Sequence, residues 1–226
     1  MWKLVCIGWW RIPKIKDWIE QPYETKEIDE EIVKLSEKDN PQLLFIGTAH
    51  YDSYNYYLGI KKIFEKLWCN VLNLDLEKEN INNNEIKDKI LNSDIIYVGH
   101  WDTRFMLEKW KEFGVDKMLI EAYNKWIVCS GSSAWSYCRF KINYDKIMWF
   151  WLIDAVNCVY YEEKDEEAKK KFYNVIKETG LDGIALENCV AIEFVDGKVK
   201  IIKSNPSKNA YKITYKNGEF IEKVLK

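Results

Sequence analysis

The chain has 226 residues, with 34 Lys plus Arg against 36 Asp plus Glu and a formal net charge of -2. That length supports one large domain with a core and a site of its own, and the near-balanced charge excludes a nucleic-acid footprint. Charged residues at 31% and apolar ones at 47% mark a folded chain, and no apolar run approaches the roughly 18 residues of a membrane span. The most apolar stretch, Ile147 to Ile153, stops at Asp154. Met1 to Gly8 reads as too short for a signal peptide and has no small-residue cleavage site, so a cytoplasmic location is expected. The six cysteines (Cys6, Cys69, Cys129, Cys138, Cys158, Cys189) are scattered with no C-x-x-C pair, so neither a disulfide scaffold nor a zinc site is expected.

Short apolar runs alternate with amphipathic stretches, the pattern of a doubly wound α/β fold with a mainly parallel sheet and helices on both faces. Strands are expected at 3–7, 42–46, 70–74, 94–98 and 126–130. Between them, 27–35, 54–67, 84–91, 103–113 and 116–124 space apolar residues by three or four, as helices do. A further helix is expected at 165–178, then strands at 189–195, 199–203, 211–215 and 219–224. The turns Asp196-Gly197 and Asn217-Gly218 make these antiparallel C-terminal hairpins added to the sheet. Asn80 to Asn84 is a polar loop within a single domain spanning residues 1–226.

In an open α/β sheet, chemistry sits beyond the carboxyl ends of the strands. The strand Trp126 to Ser130 runs directly into Gly131-Ser132-Ser133-Ala134-Trp135, a G-x-S-x-G elbow with its last glycine replaced. Such a turn lifts one hydroxyl above the sheet and sets the following N–H to hold an oxyanion, which makes Ser133 the nucleophile and Ala134 N–H a donor. From the pentapeptide alone, a serine N-cap in an ordinary strand-to-helix connection reads as well.

Several segments in order resemble the peptidase E family, serine peptidases of the aspartyl dipeptidase type on a class I glutamine amidotransferase-like fold. Ile7-Gly8-Trp9-Trp10 is similar to its first-strand glycine run, and Leu43 to Ile46 with Thr48-Ala49 to its next strand. Asp94 to Val98 followed by Gly99-His100-Trp101-Asp102-Thr103 resembles its G-G-G-N-T loop, Gly131 to Trp135 its G-x-S-A-G elbow, and Gly183 to Leu186 a late segment. The resemblance implies that Ser133 attacks a peptide carbonyl while backbone N–H groups of Gly99, His100 and Ala134 hold the oxyanion. It also implies short peptide substrates with an acidic N-terminal residue. No cofactor is implied, since no phosphate loop, metal cluster or dinucleotide fingerprint is present. An amidotransferase on this fold would need a cysteine where Ser133 stands.

Two departures from the family pattern stand out. The family's catalytic histidine lies in a C-P-H-Y-like segment, and here Cys158-Val159-Tyr160-Tyr161 puts Tyr160 in its place. A phenol with a pKa near 10 is a poor general base at neutrality. The chain's two histidines are His50 and His100; His100 is either a relocated base or a loop residue at a glycine position. Asp145 is the first candidate for the supporting acid and Asp154 the second.

The second departure concerns composition. Glycine is scarce, 10 residues, while tryptophan appears 11 times. Trp9, Trp10, Trp101, Trp126, Trp135, Trp149 and Trp151, with Trp68, fall where the resemblance calls for glycine. Two explanations are open: a UGA codon that the host reads as glycine, or a degenerate paralogue whose pocket has filled with aromatics. The corresponding functions are a cofactor-free serine peptidase and a non-catalytic relative that binds a small acidic ligand or a partner. The sequence sets no oligomeric state.

Overall fold

The structure is a computed structural model that describes residues 3–8, 15–16, 19–20, 24–78, 81–143, 145–146 and 152–226. Trp9, Trp10, Trp149 and Trp151 lie outside the described residues.

In chain order, β1 (Lys3–Ile7), β2 (Ile15–Lys16) and β3 (Ile19–Glu20) precede α1 (Lys26–Leu35). Three units of strand and helix follow: β4 (Gln42–Ile46) with α2 (Tyr54–Glu65), β5 (Asn70–Leu74) with α3 (Asn83–Leu91), and β6 (Ile95–Val98) with α4 (Thr103–Phe113). Next come α5 (Val115–Asn124), β7 (Val128–Ser132), α6 (Ala134–Arg139), β8 (Phe140–Asn143), β9 (Ile153–Val159) and α7 (Glu166–Thr179). Five strands close the chain: β10 (Gly183–Leu186), β11 (Val190–Val195), β12 (Lys198–Lys203), β13 (Ala210–Lys216) and β14 (Glu219–Val224).

Local chemistry sets the helix ends. The carboxylate of Asp102 accepts from Phe105 N–H to cap α4, and that of Asp165 accepts from Ala168 N–H to cap α7. Both helices end on left-handed glycines, Gly114 and Gly180.

A seven-stranded sheet has the order β12-β11-β1-β7-β6-β4-β5, with β5, β4, β6 and β7 parallel to their neighbours in that run. The central strands β4 and β6 read as continuous apolar runs because both faces are covered; Leu43 to Ile46 and Ile95 to Val98 are fully buried. A five-stranded sheet has the order β14-β13-β10-β9-β8, parallel through β8, β9 and β10 and antiparallel through β13 and β14. The mixed α/β class is therefore as expected, with one difference. Sequence reading adds both C-terminal hairpins to one sheet, whereas β11-β12 joins the larger sheet and β13-β14 the smaller.

The chain divides into two compact units. One comprises Met1–Val5, Asp29–Ala134 and Glu193–Val199, and the other Cys6–Ile28, Trp135–Ile192 and Lys200–Lys226. The first is centred on Phe45, Phe64, Tyr97 and Trp110, all fully buried. In the second, Val156, Phe172, Ile176, Ala185 and Ile213 pack together beneath α7. Among the described residues no helix is long and apolar enough to cross a membrane.

Candidate active site

The elbow begins in β7. This strand pairs in parallel with β6, and the register sets Val98 opposite Gly131. The loop after β6 and the turn after β7 therefore leave the same edge of the sheet side by side. Ser130 fixes the base of the turn by donating from its hydroxyl to Ile96 O at 2.9 Å. Gly131 then takes φ 156°, a conformation that L side chains rarely adopt, and Ser133 takes φ 49° in the left-handed region. Ala134 opens α6 immediately afterwards. A buried, non-glycine residue with positive φ between strand and helix has the backbone signature of a nucleophile elbow, where strain is held by the surrounding structure.

The neighbouring loop is built on Gly99. A Cβ at that position would stand 2.7 Å from Cε1 of Tyr56, so only glycine lets the tyrosine ring lie against the backbone. Gly99 N–H donates to Ile46 O at 3.0 Å, which continues the β4–β6 ladder by one residue. His100 N–H donates to the Tyr56 hydroxyl at 3.4 Å, and the same hydroxyl lies 2.8 Å from His100 Nδ1. Of the backbone donors expected for an oxyanion, Gly99 is thus engaged in the ladder and His100 has a long contact. Ala134 stands at the first position of its helix.

An aromatic cluster surrounds this loop. The His50 ring centroid lies 5.2 Å from Tyr56, 6.1 Å from His100 and 5.7 Å from Trp101. His50 Nδ1 is buried with no hydrogen-bond partner among the described residues. The loop after β4 supplies Tyr51, whose hydroxyl donates to Asp102 Oδ2 at 3.1 Å, and Asp52, whose Oδ2 accepts from Leu76 N–H at 3.0 Å. Sequence reading found His50 and His100 but missed Tyr56, the residue that joins the two loops. It lies 44 residues before His100, and only its place on the inner face of α2 hints at burial.

Burial lowers the pKa of His100 to about 4, with the charge of His50 adding to the effect. The imidazole is neutral at pH 7 but weakly basic, which counts against His100 as the relocated base. Burial raises Asp52 to about 7 against the pull of the Leu76 N–H.

The two shifts act on stability with opposite signs. Below pH 6.5 the unfolded chain protonates His100 while the fold resists down to about 4, so this group makes stability fall with pH. From about 7 down to the ordinary 3.8, the fold protonates Asp52 first, so that group makes stability rise as pH falls. Asp52→Asn keeps an oxygen for Leu76 N–H and removes the second slope. The variant is expected to lose up to about 3 kcal/mol more than the parent between pH 6.5 and 4. Urea midpoints across that range check it, and parallel pH profiles would refute the assignment.

The remaining expected residues lie in the second unit. Tyr160 follows β9 in the left-handed region, φ 58°, with Lys164 Nζ 5.2 Å from its ring centroid. Asp145 is exposed, its backbone N–H donating to Asn143 Oδ1 at 3.1 Å. Asp154 forms an ion pair with Lys141 at 2.7 Å, its side chain two-thirds exposed. Among the described residues no group of His, Cys, Asp and Glu could hold a metal ion.

A buried serine of left-handed backbone between a parallel strand and a helix gives this mixed α/β fold the backbone geometry of a nucleophile elbow. The profile of peptidase family S51 matches residues 19–202, and the chain belongs to that family. It is 28% identical over 207 residues to YgaJ of Bacillus subtilis (strain 168), described as an uncharacterized peptidase, covering 86% of this chain and 87% of that one. Two solved structures share the fold. One is a protein of Listeria monocytogenes EGD-e provisionally described as a peptidase E, with TM-score 0.67, 20% identity, and coverage of 90% of this chain and 98% of that one. The other is a peptidase from an acI-B1 Actinobacterium, with TM-score 0.62, 16% identity, and coverage of 98% and 96%.

Proposed function

We propose that the chain is a serine peptidase of the peptidase E type that hydrolyses short peptides, with a preference for an acidic N-terminal residue, through an acyl-enzyme on Ser133. The observation that carries this reading is the left-handed φ of a buried serine at the end of β7. Ser133 Oγ attacks the scissile carbonyl as its proton passes to a base. The Ala134 N–H, with the His100 N–H from the adjoining loop, receives the developing oxyanion. The tetrahedral intermediate then expels the amine, which takes the proton, and leaves an ester on Ser133. Water attacks this ester by the same route in reverse and frees the acid. Tyr160, in the family's histidine position, is the residue that governs how well the proton moves, and Asp145 is its proposed support.

The six thiols are buried and none is in a disulfide among the described residues, which fits a reducing compartment such as the cytoplasm. The proposed partners are short peptides, with neither nucleic acid nor membrane. A second reading, a relative that binds a small acidic ligand without turnover, is favoured by the phenol at position 160. A fluorophosphonate probe separates the two, because it labels only an activated serine. Labelling mapped to Ser133 by peptide mass spectrometry is the expected result. An unlabelled but folded protein would leave the binding role.

A further inference from the structure

Of the five tryptophans among the described residues, three have positive φ: Trp68 at 65°, Trp101 at 119° and Trp126 at 68°. A bulky side chain in that region is an outlier at any single site.

The hydrogen bonds say what each position is for. After α2, Cys69 N–H donates to Phe64 O at 3.0 Å and Trp68 N–H to Glu65 O at 3.1 Å. After α5, Ile127 N–H donates to Ala122 O at 3.2 Å and Trp126 N–H to Tyr123 O at 3.2 Å. Each pair is the six-to-one and five-to-two bonding of a Schellman motif, and each tryptophan occupies the left-handed position that such a motif reserves for glycine. At the comparable left-handed ends of α4 and α7 the chain does use glycine, Gly114 and Gly180, both with φ 68°. Trp101 is more extreme, since φ 119° lies beyond the left-handed helical basin that asparagine or aspartate tolerate.

Packing gives no reason for the indoles. Trp68, Trp101 and Trp126 are 75%, 63% and 59% exposed, so each places a large apolar ring in water on a strained backbone. Trp110 behaves in the opposite way. It is fully buried in the middle of α4 with ordinary helical backbone, as a tryptophan chosen for its ring should be. Under the alternative that aromatics have filled a pocket, the rings at 68, 101 and 126 would be buried. Trp135 is fully buried under the Arg139 guanidinium, 4.1 Å from its ring, and takes the last place of the elbow.

We infer that positions 68, 101 and 126 are glycine positions, and that the host inserts glycine there by reading UGA as glycine, while Trp110 is a true tryptophan. The loop after β6 then reads Gly-His-Gly. This inference does not depend on the peptidase reading. It is a statement about backbone and translation, and it is tested without an activity assay.

The gene and the native protein give the direct test. UGA is expected at codons 68, 101 and 126 and UGG at codon 110. Peptides of the protein purified from its host should be lighter at the three positions by the difference between an indolylmethyl group and a hydrogen, with the Trp110 peptide unchanged. UGG at 68, 101 and 126, or tryptophan in those peptides, overturns the inference. A physical test runs beside it, on full-length chains made in a host of the standard code with either tryptophan or glycine at 68, 101 and 126. Relief of three strained positions should raise Tm by roughly 2–4 °C for each. An equal or lower Tm for the glycine chain would show that the rings belong to the fold.

Discussion

Ser133→Ala is expected to abolish fluorophosphonate labelling and to lower peptide hydrolysis by at least about 10³-fold, because the acyl-enzyme has no other oxygen on which to form. Stability should barely move. Alanine is an L residue like serine and inherits the same φ of 49°, so the backbone strain stays where it is. Ser133→Gly separates strain from chemistry. Glycine takes positive φ without a steric penalty, so this variant should be as inactive as Ser133→Ala yet more stable than the parent by about 1 kcal/mol. Thermal or urea unfolding of the three proteins, read with the labelling assay, checks both halves. A Ser133→Gly variant that is less stable than the parent would mean the serine is not strained, and the elbow would lose its principal support.

The elbow was legible because its signals are local. Five consecutive small or helix-starting residues after an apolar strand carry the turn, and the structure keeps Gly131 to Ala134 in the expected conformations. The strand itself lies two residues later than expected, at Val128–Ser132, because Trp126 closes the Schellman motif of α5 before the chain can extend. Other elements were hidden by what they bury. Asn157 interrupts the apolar pattern of β9, yet it is fully buried and its amide donates to Ile184 O at 3.3 Å across to β10. Phe140 to Asn143 follows α6 with no turn residue between, which leaves composition nothing to mark the change from helix to strand. The tie between Tyr56 and His100 depends on folding to bring distant residues together, and no window of sequence holds both. Conversely, the tryptophan anomaly was visible in composition alone, but only the φ angles distinguish the strained rings from the useful one.

Tyr160→His is the second change with a large expected effect, and it is best made in the chain that carries glycine at 68, 101 and 126. The backbone already suits it: φ at 160 is 58°, and histidine is among the few non-glycine residues enriched in the left-handed region. What changes is the acid–base chemistry. A phenol near pKa 10 is protonated at neutrality, whereas an imidazole near 6.5 is about three-quarters available as a base there. General-base catalysis contributes roughly 10²–10⁴-fold, so kcat/KM for a short peptide with an acidic N-terminus should rise within that range. Its pH profile should gain a limb that climbs with pH through about 6.5 and then levels, the signature of a base that must lose its proton to act. Stability should stay within about 0.5 kcal/mol, since Tyr160 is only part-buried and the substitution preserves a planar ring. If the folded variant gains no activity while Ser133 still labels, the base lies elsewhere, and His100→Gln then becomes decisive. Loss of labelling in that variant would assign the proton to His100 despite its burial, and retention would exclude His100 as well as residue 160 as the base.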